Sequence, residues 1–330
     1  MRAAWCGFRS PLAGDIERYL GAKRAMGCKF ASEDRTLRLL DRYLVEHRVL
    51  SLGEVTGACL EQFLASRGRV NARGFNHLLG VVRRLLDWMV DQQVLVESPL
   101  QLGPRREGVR RQPFLFDTDA IRRLLAAAAL LPDNARAPMR GPAYETIFAL
   151  LAGLGLRIGE VARLQCGDVD LEREALQIRD TKFGKSRLVP FGPKLSARLR
   201  VYLGLRERQG MPCRGAAPLF SWNGRHPVST NTIRNTFRDD LLPQLALAVP
   251  AGVFGPHVHG LRHSFAVRTL LNWYRQGIAP ATRLNHLSTF LGHVNPTSTA
   301  VYLTITSELF EQANRRFEAF APAARAEMQP

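Results

Sequence analysis

Residues 175–192 read ALQIRDTKFGKSRLVPFG, and the fold class turns on them. Two short β-prone runs, 176–178 and 187–191, flank a turn containing Gly184, the pattern of a β-hairpin. The surroundings are of another kind. From Asp117 up to this stretch, and again from Leu195 onward, apolar residues recur at helical spacing, ending in a helix near 307–320 and a loose Ala/Pro tail. The expectation is a mainly α protein whose C-terminal, α-rich domain carries one small antiparallel β-sheet or hairpin.

Residues 14 to about 98 also read as helices. Leu37, Leu40, Tyr43 and Leu44, then Leu78, Val81, Val82, Leu85 and Trp88, recur every three or four positions, as one buried helix face requires. Between the two helical regions lies SPLQLGPRREGVRRQPF, residues 98–114. Its Pro99, Gly103, Pro104 and Gly108 break helices, and Arg105, Arg106, Arg110 and Arg111 charge it. A chain of 330 residues exceeds the size at which one core usually stops growing. The predicted organisation is therefore a small helical domain over 1–100, a basic linker over 101–114 and the α-rich domain over 115–330. An exposed loop with no ligand is the other reading of the linker. No internal repeat is present.

Lys and Arg number 46 against 29 Asp and Glu, a net charge of +17, with most of the basic residues Arg. Such a surface concentrates polyanions around itself. Cys6, Cys28, Cys59, Cys166 and Cys213 are odd in number, widely spaced and form no Cys-x-x-Cys pair, which points to a reduced compartment without structural zinc. The opening MRAAWCGFRSPLAG lacks a signal-peptide core, and the longest apolar run, near LLAAAALL, is too short to cross a bilayer. A cytoplasmic chain with no membrane partner is expected.

The acids are unevenly spread. Residues 241–307 contain no Asp or Glu, yet hold Arg262, Arg268, Arg275, Arg283 and five histidines. A phosphate-contacting face needs this, because a carboxylate there would repel the ligand at short range; burial of the segment in the core would leave the same gap.

Three motifs carry the chemistry. In GLGLRIGEVARL, 153–164, Gly153 and Gly155 end one helix and Arg157 opens the next, where a guanidinium and free backbone N–H groups can meet an anion. An Arg paired with Glu160 or Asp168 would read the same. In HGLRHSFAVRTLL, 259–271, His259 and Arg262 share a helix face while Leu261 and Phe265 share another, setting a proton-transfer group beside a bidentate phosphate binder. His257, His259 and His263 could instead hold zinc, although metal-assisted phosphoryl chemistry favours carboxylate ligands and none is near. In FLGHVNPTSTAVYLTIT, 290–306, Gly292 reads as a helix stop, Pro296 as a turn, and Thr297 or Ser298 as the N-cap of a short helix bearing Tyr302. His293 precedes Tyr302 by nine positions, near enough to border one pocket.

In this order the motifs resemble the tyrosine recombinase family of phage integrases: an Arg after a Gly-Leu pair, a hairpin Lys, a His-x-Leu-Arg-His box, a Leu-Gly-His box, and a Tyr about nine residues further on. Arg157, Lys182, His259, Arg262, His293 and Tyr302 match it. The resemblance covers about residues 115–320; the N-terminal region fits the family's SAM-like core-binding domain in size and position only. Two features depart or stay open. Gly260 stands where the family commonly has Asp, and TKFGK offers Lys185 as well as Lys182, of which Lys182 opens the turn as the family's Lys does.

The resemblance implies transesterification at a DNA phosphodiester, with Tyr302 as nucleophile and a 3′-phosphotyrosyl intermediate, needing neither cofactor nor metal. It implies that Arg157 and Arg262 bind non-bridging oxygens, Lys182 protonates the leaving oxygen, His259 helps to move the tyrosine proton and His293 hydrogen-bonds the phosphate. Lys185 and the linker arginines Arg105, Arg106, Arg110 and Arg111 are expected to contact DNA. The implied partners are double-stranded DNA and further copies of the chain, as a tetramer on DNA, or related recombinases. A DNA-binding accessory member of a recombinase set, a type IB-like topoisomerase and a histidine-metal nuclease are the alternatives.

Overall fold

A computed structural model describes residues 7–28, 30–68, 71–108, 111–179, 186–293, 297–300 and 302. The chain divides into two compact units, Met1–Arg110 and Arg111–Pro330.

In the first unit, α1 (Ala13–Ala25), α2 (Ala31–Glu46), α3 (Gly57–Ser66) and α4 (Ala72–Asp91) enclose a core of their own. α4 shows why they pack. Leu78, Val81, Val82, Leu85 and Met89 form one buried stripe, which costs free energy unless another helix covers it. Trp88, at the stripe's edge, is half-buried against the same core. Helix starts are capped: the Thr56 hydroxyl accepts from the Cys59 N–H at 3.3 Å, and the Asn71 side chain from the Gly74 N–H at 2.6 Å. Each satisfies a donor that the first turn leaves without a partner. Leu100 is buried in this core and Leu102 packs against it, so the first unit runs past the expected position 100.

The second unit contains α5 (Thr118–Ala129), α6 (Arg140–Leu154) and α7 (Ile158–Ala162), then strands β1 (Val169–Asp170), β2 (Ala175–Ile178) and β3 (Arg187–Pro190). After them come α8 (Pro193–Arg208), α9 (Thr230–Asn235), α10 (Leu242–Leu245), α11 (Val258–Arg275), α12 (Pro280–Leu291) and α13 (Thr297–Ala300). A π-helical turn, Thr236–Leu241, joins α9 to α10. α6 is buried on almost every side, through Tyr144, Ile147, Phe148, Leu150, Leu151 and Leu154, and serves as the central helix.

The hairpin is part of a three-stranded antiparallel sheet in the order β1-β2-β3. Leu176 faces Val189, and Ile178 faces Arg187. The additional strand, β1, is two residues long and lies beyond the reach of any periodicity. The hairpin turn, with Lys182, Gly184 and Lys185, lies outside the described residues, as do Arg110 and the helix expected near 307–320.

Two close approaches fix the helices around the site. α6 ends at Gly155, whose φ of +60° suits glycine; a Cβ there would come within 2.6 Å of the Phe265 ring and 3.0 Å of Leu291. Any side chain would therefore push α11 and α12 off this turn. At Gly260 the backbone enters from 114–116. The Phe116 N–H donates to the Ser264 hydroxyl at 2.7 Å, and that hydroxyl donates to the Gly260 carbonyl at 2.8 Å. A Cβ at 260 would stand 3.0 Å from both the Phe114 oxygen and the Phe116 ring. This docking crowds any side chain at that position. Among the described residues no helix is long and apolar enough to cross a membrane.

Candidate active site

The C-terminus of α12 organises the site. The last carbonyls of a helix have no intrahelical partner and carry its negative end. Here three consecutive ones each receive a guanidinium. Arg187 Nε donates to the Phe290 oxygen, Arg262 Nη2 to the Leu291 oxygen and Arg157 Nη2 to the Gly292 oxygen, all at 2.8 Å. Gly292 ends the helix in the left-handed region at φ +68°, and a Cβ on it would meet Arg187 at 2.7 Å. The helix stop read from the sequence is thus also where three arginines converge.

Each arginine arrives by a different route. Arg157 is the N-cap of α7 and shares Glu160 in a capping box: the Arg157 N–H donates to Oε2 at 2.9 Å and Nη1 to Oε1 at 2.8 Å. The alternative of an Arg157–Glu160 pair is therefore realised, while Asp168 pairs with Arg179 instead. Arg187 comes from β3 and donates through both Nη atoms to the two oxygens of Glu160, each at 3.0 Å. Arg262 comes from α11, is 1% exposed, and spends Nη1 on the Gly155 oxygen at 2.7 Å.

The electrostatics follow from this packing. Burial pushes the Glu160 carboxyl up, but hydrogen bonds and charge from Arg187, then Arg157, outweigh it and hold the group below its usual range. Burial, with the charge of Arg157 beside it, pulls Arg262 down to about 10. Among the described residues of this cluster, three guanidiniums against one carboxylate leave a net charge of +2. That excess is what a phosphodiester in a pentacoordinate state calls for.

Tyr302 is 4% exposed and lies two residues past α13. Thr297 opens α13, and the residue between that helix and Tyr302 lies outside the described residues. The Tyr302 hydroxyl lies 3.1 Å from His263 Nδ1. Burial raises its pKa, and the nearby Arg262 and Arg157 act in the opposite direction. His293 stacks on the tyrosine ring at 6.3 Å between centroids and holds the Thr299 hydroxyl through Nδ1 at 2.7 Å. His259 stands edge-on to His263 at 4.7 Å. Desolvation, together with neighbouring histidines and arginines, lowers His259, His263 and His293 to about 4 each. His259 is itself exposed, so solvent moderates its shift more than that of the other two.

The structure thus brings Arg157, Arg262, His293 and Tyr302 together, with His259 at the edge. Three residues were missed as site members. Glu160 was read only as a competing partner for Arg157, His263 only as a metal ligand, and Arg187 only as a strand residue. Among the described residues no three His, Cys, Asp or Glu side chains are placed to hold a metal. In the first unit, Arg105 stacks its guanidinium 3.8 Å over the Phe75 ring and pairs its backbone with Asn76. Arg106 and Arg111 are exposed. Much of the acid-free segment is core, through Leu261, Val267, Leu270, Leu287 and Leu291, and it supplies His259, Arg262, His263, His293 and Tyr302 to the site.

Residues 115–308 match the model of the phage integrase family. Over 313 residues the chain is 41% identical to the integrase/recombinase y4rB of Sinorhizobium fredii, covering 92% of this chain and 96% of that one. It is 26% identical to the tyrosine recombinase XerC of Yersinia pestis, covering 96% and 98%. Its fold matches the Tn1549 transposon integrase in complex with transposon right end DNA, with a TM-score of 0.65 and 17% identity over 93% of this chain and 99% of that one. The chain belongs to the phage integrase family and is a tyrosine recombinase. Its reaction is DNA strand transfer in site-specific recombination.

Proposed function

We propose that Tyr302 is the nucleophile of this reaction and that the three-arginine cluster at the end of α12 receives the scissile phosphate. The tyrosine oxygen attacks phosphorus, the 5′ oxygen leaves and a 3′-phosphotyrosyl bond conserves the energy of the broken link. A 5′ hydroxyl from another strand then reverses the step. Arg157 and Arg262 hold the non-bridging oxygens, each charge-assisted contact contributing about 1.5–3 kcal/mol. Lys182, with Lys185 as the other candidate, protonates the leaving oxygen. His293 hydrogen-bonds the phosphate, and His259 takes part in moving the tyrosine proton. The observation that supports this reading is the buried Tyr302 hydroxyl beside Arg262, in a cluster with an excess of positive charge.

The first unit acts as the core-binding domain and, with the linker over 101–114, closes around duplex DNA, to which Arg105, Arg106, Arg110, Arg111 and Lys185 contribute. Four copies assemble on two sites, and the chain works in the cytoplasm. The test is to incubate the protein with labelled duplex fragments from around its own gene and trap with detergent. A protein–DNA adduct that disappears in Tyr302→Phe is expected. An adduct that persists in that variant overturns the assignment.

A further inference from the structure

We infer that His263, a residue with no role so far in this reaction, accepts the proton of Tyr302 as the tyrosine attacks; this rests on the reading of Tyr302 as nucleophile. Three observations carry it. The His263 Nδ1 lies 3.1 Å from the tyrosine oxygen, within the reach a general base needs. The hydroxyl sits in a nearly water-free position, with Tyr302 4% exposed, so solvent is a poor competitor for the proton. The neighbouring His293 directs its Nδ1 to the Thr299 hydroxyl and not to the tyrosine oxygen.

The groups facing His263 are His257 and His259 from the start of α11, Arg262 from the same helix, His293 from the end of α12, and Tyr302. No carboxylate of the described residues is among them. Lowered to about 4, the imidazole is neutral at rest, which leaves a nitrogen lone pair to accept the tyrosine O–H. Binding of a phosphate at Arg157 and Arg262 adds negative charge, and a nearby negative charge favours the protonated imidazole. Substrate thus makes the base stronger at the moment it is used. In the step, the Tyr302 O–H bond breaks and its proton goes to His263. The tyrosine oxygen bonds to phosphorus, the phosphorus–O5′ bond breaks, and the leaving oxygen takes its proton from the hairpin Lys. His259, edge-on to His263 and open to solvent, lies on the way by which the proton departs.

The test uses the full chain and a duplex on which the unaltered protein forms a detergent-stable adduct, made with either oxygen or sulfur bridging phosphorus to the 5′ carbon. A 5′ thiolate leaves without a proton, so the sulfur duplex masks loss of the acid and not loss of the base. His263→Ala is expected to slow adduct formation about 100-fold or more on both duplexes, to keep its duplex affinity, and to regain rate in added imidazole. Lys182→Ala, by contrast, should recover on sulfur. Recovery of His263→Ala on sulfur overturns the inference. So does His263→Gln cleaving at the unaltered rate, since an amide can hold the hydrogen bond but cannot take the proton. An adduct that survives Tyr302→Phe removes the nucleophile assignment instead, whatever the His263 variants do.

Discussion

Arg187 grips both oxygens of Glu160, at 3.0 Å each, while its Nε closes on the Phe290 carbonyl 103 residues away. Glu160 also holds Arg157, and Arg157 returns to the Gly292 carbonyl. The contacts form a closed ring, Arg157–Glu160–Arg187–α12. The position of the Arg157 guanidinium is therefore set in part by a strand residue, Arg187, through their shared Glu160.

Arg187→Ala opens that ring. Glu160 has 2% side-chain exposure, and removing one partner of a buried pair costs about 3 kcal/mol or more. With roughly 2–4 °C per kcal/mol for a unit of this size, thermal melting should fall by about 6–12 °C. Adduct formation should fall more steeply than duplex affinity, because Arg157 loses its orientation and not its charge. Arg187→Lys should restore little of either, since an ammonium cannot reproduce the two-pronged contact. A lysine variant that melts and cleaves like the unaltered protein would show that charge alone suffices there.

Gly260→Asp restores a residue common in the family and is expected to harm this chain. Its Cβ would stand 3.0 Å from the Phe114 carbonyl and the Phe116 ring. Overpacking of this order costs about 1–3 kcal/mol, and the carboxylate would face a backbone oxygen. Chemical denaturation of Gly260→Asp and Gly260→Ala checks this. Both should be destabilised, the Asp variant more, and a stabilised Asp variant would mean that segment 114–116 docks differently.

Local patterns made much of this readable in advance. The 3.6-residue period placed α11, Gly292 marked the end of α12, and two β-prone runs around a glycine turn marked β2 and β3. What escaped depends on distance along the chain. His263 meets Tyr302 across 39 residues and Arg187 meets Phe290 across 103, and no periodicity reports such pairings. Arg187 occupies a strand position that a period of two marks as ordinary. Its burial follows only from how α12 ends, with a carbonyl needing a donor. Glu160 was visible as a partner for Arg157, but its second arginine, Arg187, was not.

Acid should destabilise the site before it affects the helical unit at the N-terminus. His263 and His293 are lowered to about 4 from an ordinary 6.5. Between those values the unfolded chain binds protons that the folded chain excludes. Stability from these rings is therefore complete above pH about 6.5 and lost as pH falls toward 4. Melting temperature measured across that window should decline, and a His263→Gln, His293→Gln double variant should decline less. Equal slopes for the two proteins would assign the acid sensitivity to carboxylates instead.

Salt dependence separates the two readings of the segment around Arg106 and Arg111. With a net charge of +17, duplex affinity should fall steeply as salt rises, and the logarithmic slope is about −0.9 for each phosphate neutralised. If both arginines, exposed as they are, contact the DNA backbone, Arg106→Ala with Arg111→Ala should reduce the slope by about two. The loss should be uniform across unrelated sequences, because backbone contacts carry no base information. An unchanged slope would make this segment a bare connection and leave the polyanion contacts to the two units themselves. A change confined to one sequence would instead indicate that these side chains read bases.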